Sequence, residues 1–181
     1  MPRKQGIVIH IRDLEDNDIP ALAALAAKTY TETFGHSFSA EDLAAEIKAT
    51  RSQDYFRAAM KEDTILLAVD GDRIAGYVQL SDVKINVKGA EVKDGDQAVN
   101  AIYIHADYQG QGIGRALMDA AFVHPRFKNA SNIFIDVWDK NERALNFYLN
   151  YGFKVVGKCD VVTDGEVTGH DLVLARPLRL V

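Results

Sequence analysis

The stretch from Ala98 to Ala121, AVNAIYIHADYQGQGIGRALMDAA, constrains the fold more than any other part of the chain. The apolar run Ala98–Ile104 reads as a buried strand. His105–Tyr108 reads as a turn. The segment Gln109-Gly110-Gln111-Gly112-Ile113-Gly114-Arg115 then leads into a helix with Ala116, Leu117, Ala120 and Ala121 on one face. A strand that passes through a glycine-rich turn into a helix builds a phosphate site. The first helical turn leaves N–H groups without intrahelical partners. The helix end adds about half a positive charge. Glycines let a phosphate approach the backbone and adopt positive φ where needed.

Three phosphate loops compete for this stretch. The nucleoside-triphosphate loop needs GxxxxGK followed by Ser or Thr, which the chain does not contain. The dinucleotide loop needs a third small residue, and counting from Gly110 that place holds Arg115. The pattern Q/R-x-x-G-x-G/A is met in full by Gln109, Gly112 and Gly114. A second stretch supports the third choice. The apolar strand Ile133–Val137 leads into Trp138-Asp139-Lys140-Asn141-Glu142-Arg143-Ala144-Leu145-Asn146-Phe147-Tyr148-Leu149-Asn150-Tyr151-Gly152-Phe153. Ala144, Leu145 and Tyr148 recur at helical spacing, and Gly152 supplies the stop.

These two stretches, in this order, resemble the acyl-CoA motifs of the GCN5-related N-acetyltransferase (GNAT) superfamily. Thr31-Glu32-Thr33-Phe34-Gly35, Ile102-Tyr103-Ile104, Val137-Trp138-Asp139-Lys140-Asn141 and the tail from Gly165 to Leu174 look like its PaiA-type polyamine (spermidine/spermine) branch. The resemblance implies acetyl-CoA as co-substrate, lying where two neighbouring central strands splay apart. Backbone groups of Ile102, Tyr103 and Ile104 would pair with its pantetheine arm. The loop Gln109, Gly110, Gln111, Gly112, Ile113, Gly114 and Arg115 would hold its pyrophosphate. Asn141 matches a residue that contacts the cofactor, and it also suits a helix N-cap. Tyr148 matches the tyrosine at the thioester sulfur, where a phenol can protonate the departing thiolate.

The implied reaction moves acetyl to a primary amine, a polyamine-like one by the branch resemblance, by direct attack in a ternary complex. An amine of pKa near 10.4 costs about 4–5 kcal/mol to deprotonate at pH 7. Ala98 and Asn100 stand where many relatives carry a glutamate base. Glu32, Asp136 and His105 are the nearest candidates, with Glu32 placed by the resemblance in the acceptor cleft, and a water relay stays open as well. His170 and Asp171 read as ordinary strand-edge polarity. Two other readings stay open: acetylation of a protein N-terminus or lysine, and a CoA-binding sensor without catalysis.

The remaining chain is taken as one domain, 1–181, of α+β class: a mixed, mostly antiparallel twisted sheet with helices on both faces. Ile7–Arg12 is the first strand. Asp18 caps a helix with Pro20 early in it. Ser39 caps the next, with Asp42 three residues on, and Leu43, Ile47 and further along Tyr55, Phe56 and Met60 face the core. Thr64–Val69 and Arg73–Leu80 form a hairpin across Asp70-Gly71-Asp72. Ser81–Asp96 is a loop or a hairpin extension. Two strands joined at Asp164-Gly165 close the chain. The net charge of −5 argues against a nucleic-acid partner. A single cysteine, Cys159, leaves no disulfide framework and no cysteine-rich metal site, and no metal is expected. The start lacks an apolar leader and no apolar run suits a membrane span, so a cytoplasmic location is expected. Relatives are often dimers, which leaves a homodimer open.

Overall fold

The computed structural model of the chain describes residues 8–84, 91–163 and 166–178. Seven strands are present among these residues: β1 (Ile9–Asp13), β2 (Thr64–Asp70), β3 (Arg73–Asp82), β4 (Gln97–Ile104), β5 (Asn132–Trp138), β6 (Lys154–Thr163) and β7 (Glu166–Pro177). They form one mixed sheet in the order β1-β2-β3-β4-β5-β7-β6. β1 with β2, β5 with β7, and β6 with β7 are antiparallel. β4 and β5 are parallel over two pairs, Gln97↔Ile133 and Ala98↔Phe134. The helices are α1 (Ile19–Phe34), α2 (Ala40–Thr50), α3 (Gln53–Ala59), α4 (Ile113–Val123) and α5 (Glu142–Asn150). The chain divides into two compact units, Met1–Gln79 with Ala101–His124, and Leu80–Asn100 with Pro125–Val181.

In the first unit the core gathers Leu22, Ala26, Phe56, Leu67 and Tyr77, each almost completely buried. Each large apolar side chain so buried contributes about 1.5–3 kcal/mol. The expected stripe of α1 is present, since Ile19, Leu22, Leu25 and Ala26 are buried. Asp18 precedes the helix but does not cap it with its side chain. Its carboxylate instead accepts both arms of Arg12, at 2.6 and 2.8 Å, and the Glu15 amide at 3.0 Å. A bidentate ionic pair is stronger than a single capping bond. The Arg12 hydrogen bonds, opposed by desolvation, hold the Asp18 carboxyl below the usual range.

Ser39 caps α2 as expected, accepting from the Asp42 amide at 3.1 Å. The helical stretch to Met60 is interrupted, because Ser52 starts α3 by accepting from the Tyr55 amide at 3.2 Å. Phe56 is buried, whereas Leu43, Ile47, Tyr55 and Met60 are half-buried. The buried side of α4 is Ile113, Leu117, Met118 and Ala121. Ala116 and Ala120 lie at its margin, half-buried.

In the second unit Ala98, Phe134, Val173 and Ala175 form a core on one sheet face. Buried Asp96 fastens the start of β5 by accepting from the Asn132 backbone N–H at 3.0 Å and side-chain amide at 3.1 Å. α5 ends as expected: Gly152 has φ +85, and the Phe153 amide donates back to Tyr148 O at 3.2 Å. β3 continues to Asp82, two residues past its expected end. The Ser81–Asp96 question otherwise falls partly on residues 85–90, outside the described residues. Thr163↔Glu166 is the last pair of the β6–β7 hairpin, and its turn, Asp164-Gly165, also lies outside them.

Candidate active site

The first unit contains the whole glycine loop. β4 ends at Ile104, and the His105 amide donates to Ala75 O at 2.9 Å. A single 3-10 turn over Ala106–Tyr108 follows. His105 Nδ1 caps it by accepting from the Asp107 amide at 3.2 Å. Buried Tyr108 anchors the turn: its hydroxyl donates to Asp70 Oδ2 at 2.9 Å, and Arg73 lies 5.5 Å from its ring centroid. Burial and the Asp70 hydrogen bond raise the pKa of Tyr108. Gln109 Nε2 reaches Ile104 O at 3.3 Å and Gln111 Nε2 reaches Asp107 O at 2.8 Å. Both glutamines therefore brace the loop.

Gly110 and Gly112 adopt φ +76 and +81, and a Cβ built on either meets no atom within 4 Å. Gly112 is the N-cap of α4, and no side chain caps that helix. The first helical bond runs from Ala116 N to Gly112 O at 3.0 Å. The amides of Ile113 and Gly114 precede it. Left-handed backbone, open space and an uncapped helix start are what a diphosphate requires. The loop residues thus fit the phosphate end of acetyl-CoA. Ile102, Tyr103 and Ile104 lead directly into this loop on β4.

Of the base candidates in this unit, Glu32 lies on α1 with its carboxylate 3.9 Å from Lys28 Nζ. Lys28 Nζ is also 3.3 Å from His105 Nε2. Two candidates the sequence left separate are thus joined through one lysine, which no sequence pattern singled out.

The second unit holds the other motif. Asn141 is the N-cap of α5, with Oδ1 accepting from the Ala144 amide at 3.1 Å. Tyr148 is buried, its ring edge-on to Phe153 at 6.1 Å and to Phe147 at 5.4 Å. Asp136 lies on β5, reached by solvent yet crowded by protein, and this desolvation raises its pKa. Asp171 lies opposite Trp138 on β7. Burial first, then the charges of Asp136 and Asp139, push its carboxyl up to about 6. The sequence left Asp171 as ordinary strand-edge polarity, because a lone aspartate carries no local sign of its neighbours, and Asp136 on β5 and Asp139 just past it lie more than thirty residues away.

Among the described residues no His, Cys, Asp and Glu are grouped to hold a metal ion, and no helix is long and apolar enough to cross a membrane.

The sequence profile of the Acetyltransferase (GNAT) family matches residues 20–153, and the chain belongs to that family. It is an acetyl-CoA-dependent N-acetyltransferase. Among relatives, it is 30% identical over 147 residues to an uncharacterized N-acetyltransferase in the pepI 3' region of Lactobacillus delbrueckii subsp. lactis, covering 80% of this chain and 83% of that one. It is 29% identical to the peptidyl-lysine N-acetyltransferase YjaB of Escherichia coli, covering 86% and 88%. The fold matches the crystal structure of PaiA N-acetyltransferase from Thermoplasma acidophilum in complex with coenzyme A. The TM-score is 0.73 at 20% identity, covering 94% and 99% of the two chains.

Proposed function

We propose that the chain transfers acetyl from acetyl-CoA to a primary amine by direct attack in a ternary complex, acting as one domain over 1–181. The observation that carries this reading is the open, left-handed backbone at Gly110 and Gly112 ahead of uncapped α4. Loop amides from Gln109 to Arg115 hold the pyrophosphate, and the backbone of Ile102, Tyr103 and Ile104 pairs with the pantetheine arm. The side chain of Asn141 adds a cofactor contact while Oδ1 caps α5. Tyr148 delivers a proton to the departing sulfur. Glu32 takes a proton from the substrate ammonium, which leaves the neutral amine free to attack; Lys28 Nζ lies 3.9 Å from its carboxylate and 3.3 Å from His105 Nε2. The bound co-substrate supplies the activated acyl group, and the protein supplies alignment and proton transfer.

Two acceptor readings share this chemistry. The sequence resemblance favours a small polyamine-like amine. Similarity to a relative named as a peptidyl-lysine N-acetyltransferase favours a lysine side chain. Thiol release from acetyl-CoA, followed with polyamines, amino acids and lysine peptides, tests both. Release with at least one amine is expected. Tight acetyl-CoA binding with no release across the panel would instead favour a sensor.

A further inference from the structure

We infer that Arg51 selects the acceptor: its guanidinium receives a carboxylate carried by the same small molecule as the amine to be acetylated. The inference rests on the transferase reading and narrows its substrate class to amino-acid-like amines.

Arg51 follows α2 at its C-terminal end. Its guanidinium carbon lies 3.7 Å from the centroid of the Tyr30 ring and 5.8 Å from that of Tyr103. Tyr103 in turn stacks on Tyr77, with centroids 5.9 Å apart and planes at 25°. The charge therefore sits in a set of tyrosines, one of which belongs to the segment assigned above to the pantetheine arm. Only 13% of the Arg51 side chain is exposed.

A guanidinium has five N–H donors and does not lose its charge in a protein. Here the donors are poorly met. Nη1 contacts Thr50 Oγ1. The carboxylate of Glu46 stays at 3.7 Å, beyond hydrogen-bond reach. Nε is buried without a hydrogen-bond partner. Such an arrangement costs stability, and packing alone would be served by a methionine. Stacking on Tyr30 fixes the plane of the group. A guanidinium can meet a planar carboxylate with two parallel bonds. A polycation without a carboxylate has nothing to offer the guanidinium donors.

The test uses amines that differ only in the carboxylate: lysine against cadaverine, and ornithine against putrescine. With the full chain, kcat/KM from thiol release should favour the amino acid of each pair about tenfold or more. Arg51→Met should bring that ratio towards one, chiefly through the KM of the amino acid. Calorimetric titration of the CoA-loaded protein with lysine and with cadaverine reads the same preference without turnover. Preference for lysine there with no thiol release from any amine would leave Arg51 as a carboxylate-binding group and overturn its role in choosing an acceptor. Binding of neither amine, equal binding of both, or an Arg51→Met protein that weakens both alike overturns it. Should Arg51→Met not fold, Arg51→Lys keeps the charge and loses the planar fork. It should lower the lysine preference, and an unchanged preference also overturns the inference.

Discussion

The carbonyl oxygen of Tyr103 lies so near Gly76 that a Cβ on Gly76 would stand 2.8 Å from it, and 2.7 Å from Ile104 Cδ1. The second contact can yield by a side-chain rotation. The first is with backbone and cannot. Gly76 thus lets β3 approach the segment of β4 assigned to the pantetheine arm. Gly76→Ala should cost about 1–3 kcal/mol, as overpacking does, read as a lower urea midpoint. It should also weaken acetyl-CoA binding, because Tyr103 and Ile104 must shift. An unchanged midpoint would show that the strand moves without penalty.

Gly112 raises a different problem, since a side chain there meets open space but a strained backbone at φ +81. Valine would suffer the strain and also fill the space assigned to phosphate. Gly112→Val should weaken acetyl-CoA binding at least about tenfold in calorimetry. Gly71, at φ +57 in the β2–β3 turn, also has nothing within 4 Å of a built Cβ and serves as control. Gly71→Val should share the loss of stability and keep the affinity. Equal affinity losses in both variants would mean that strain, not the phosphate approach, accounts for the effect.

What could be read from the sequence were features set by near neighbours. The Ser39 cap, the Asp70-Gly71-Asp72 turn, the Gly152 stop and the glycine loop each depend on a few consecutive residues, and each is present. Asp18 shows where local reading stops. Its type and position suit a cap, but Arg12 on β1 takes the carboxylate. Contacts across long separations left no pattern to find. Arg51 meets Tyr30 from twenty-one positions away and Tyr103 from fifty-two. Lys28 meets His105 across seventy-seven. Asp171 draws its raised pKa from burial and from Asp136 and Asp139.

Tyr148 has two roles to separate, because its ring is packed against Phe153 while its hydroxyl is assigned to proton delivery. Phenylalanine keeps the ring and removes the hydroxyl. Tyr148→Phe should lower kcat by about a hundredfold, the lower range for loss of a general acid. The acetyl-CoA dissociation constant should change much less. Equal losses in turnover and binding would assign Tyr148 to packing or cofactor contact alone.

Asp171 makes stability depend on pH in the direction opposite to that of a salt-bridged aspartate. Its folded carboxyl titrates near about 6, above the ordinary 3.8, because burial and the charges of Asp136 and Asp139 disfavour ionisation. Between these values the folded chain holds more protons than the unfolded chain, so stability falls as pH rises through that window. Below it, Asp171 is neutral in both states and costs nothing. Above it, the folded state carries a partly desolvated charge in company with two others. Solvent reaches the half-buried group, so the effect is smaller than a full shift would give. Asp171→Asn removes the charge at every pH. The variant should melt higher than the parent at pH 8 and differ little at pH 4. The same difference in melting temperature at both pH values would sink the assignment.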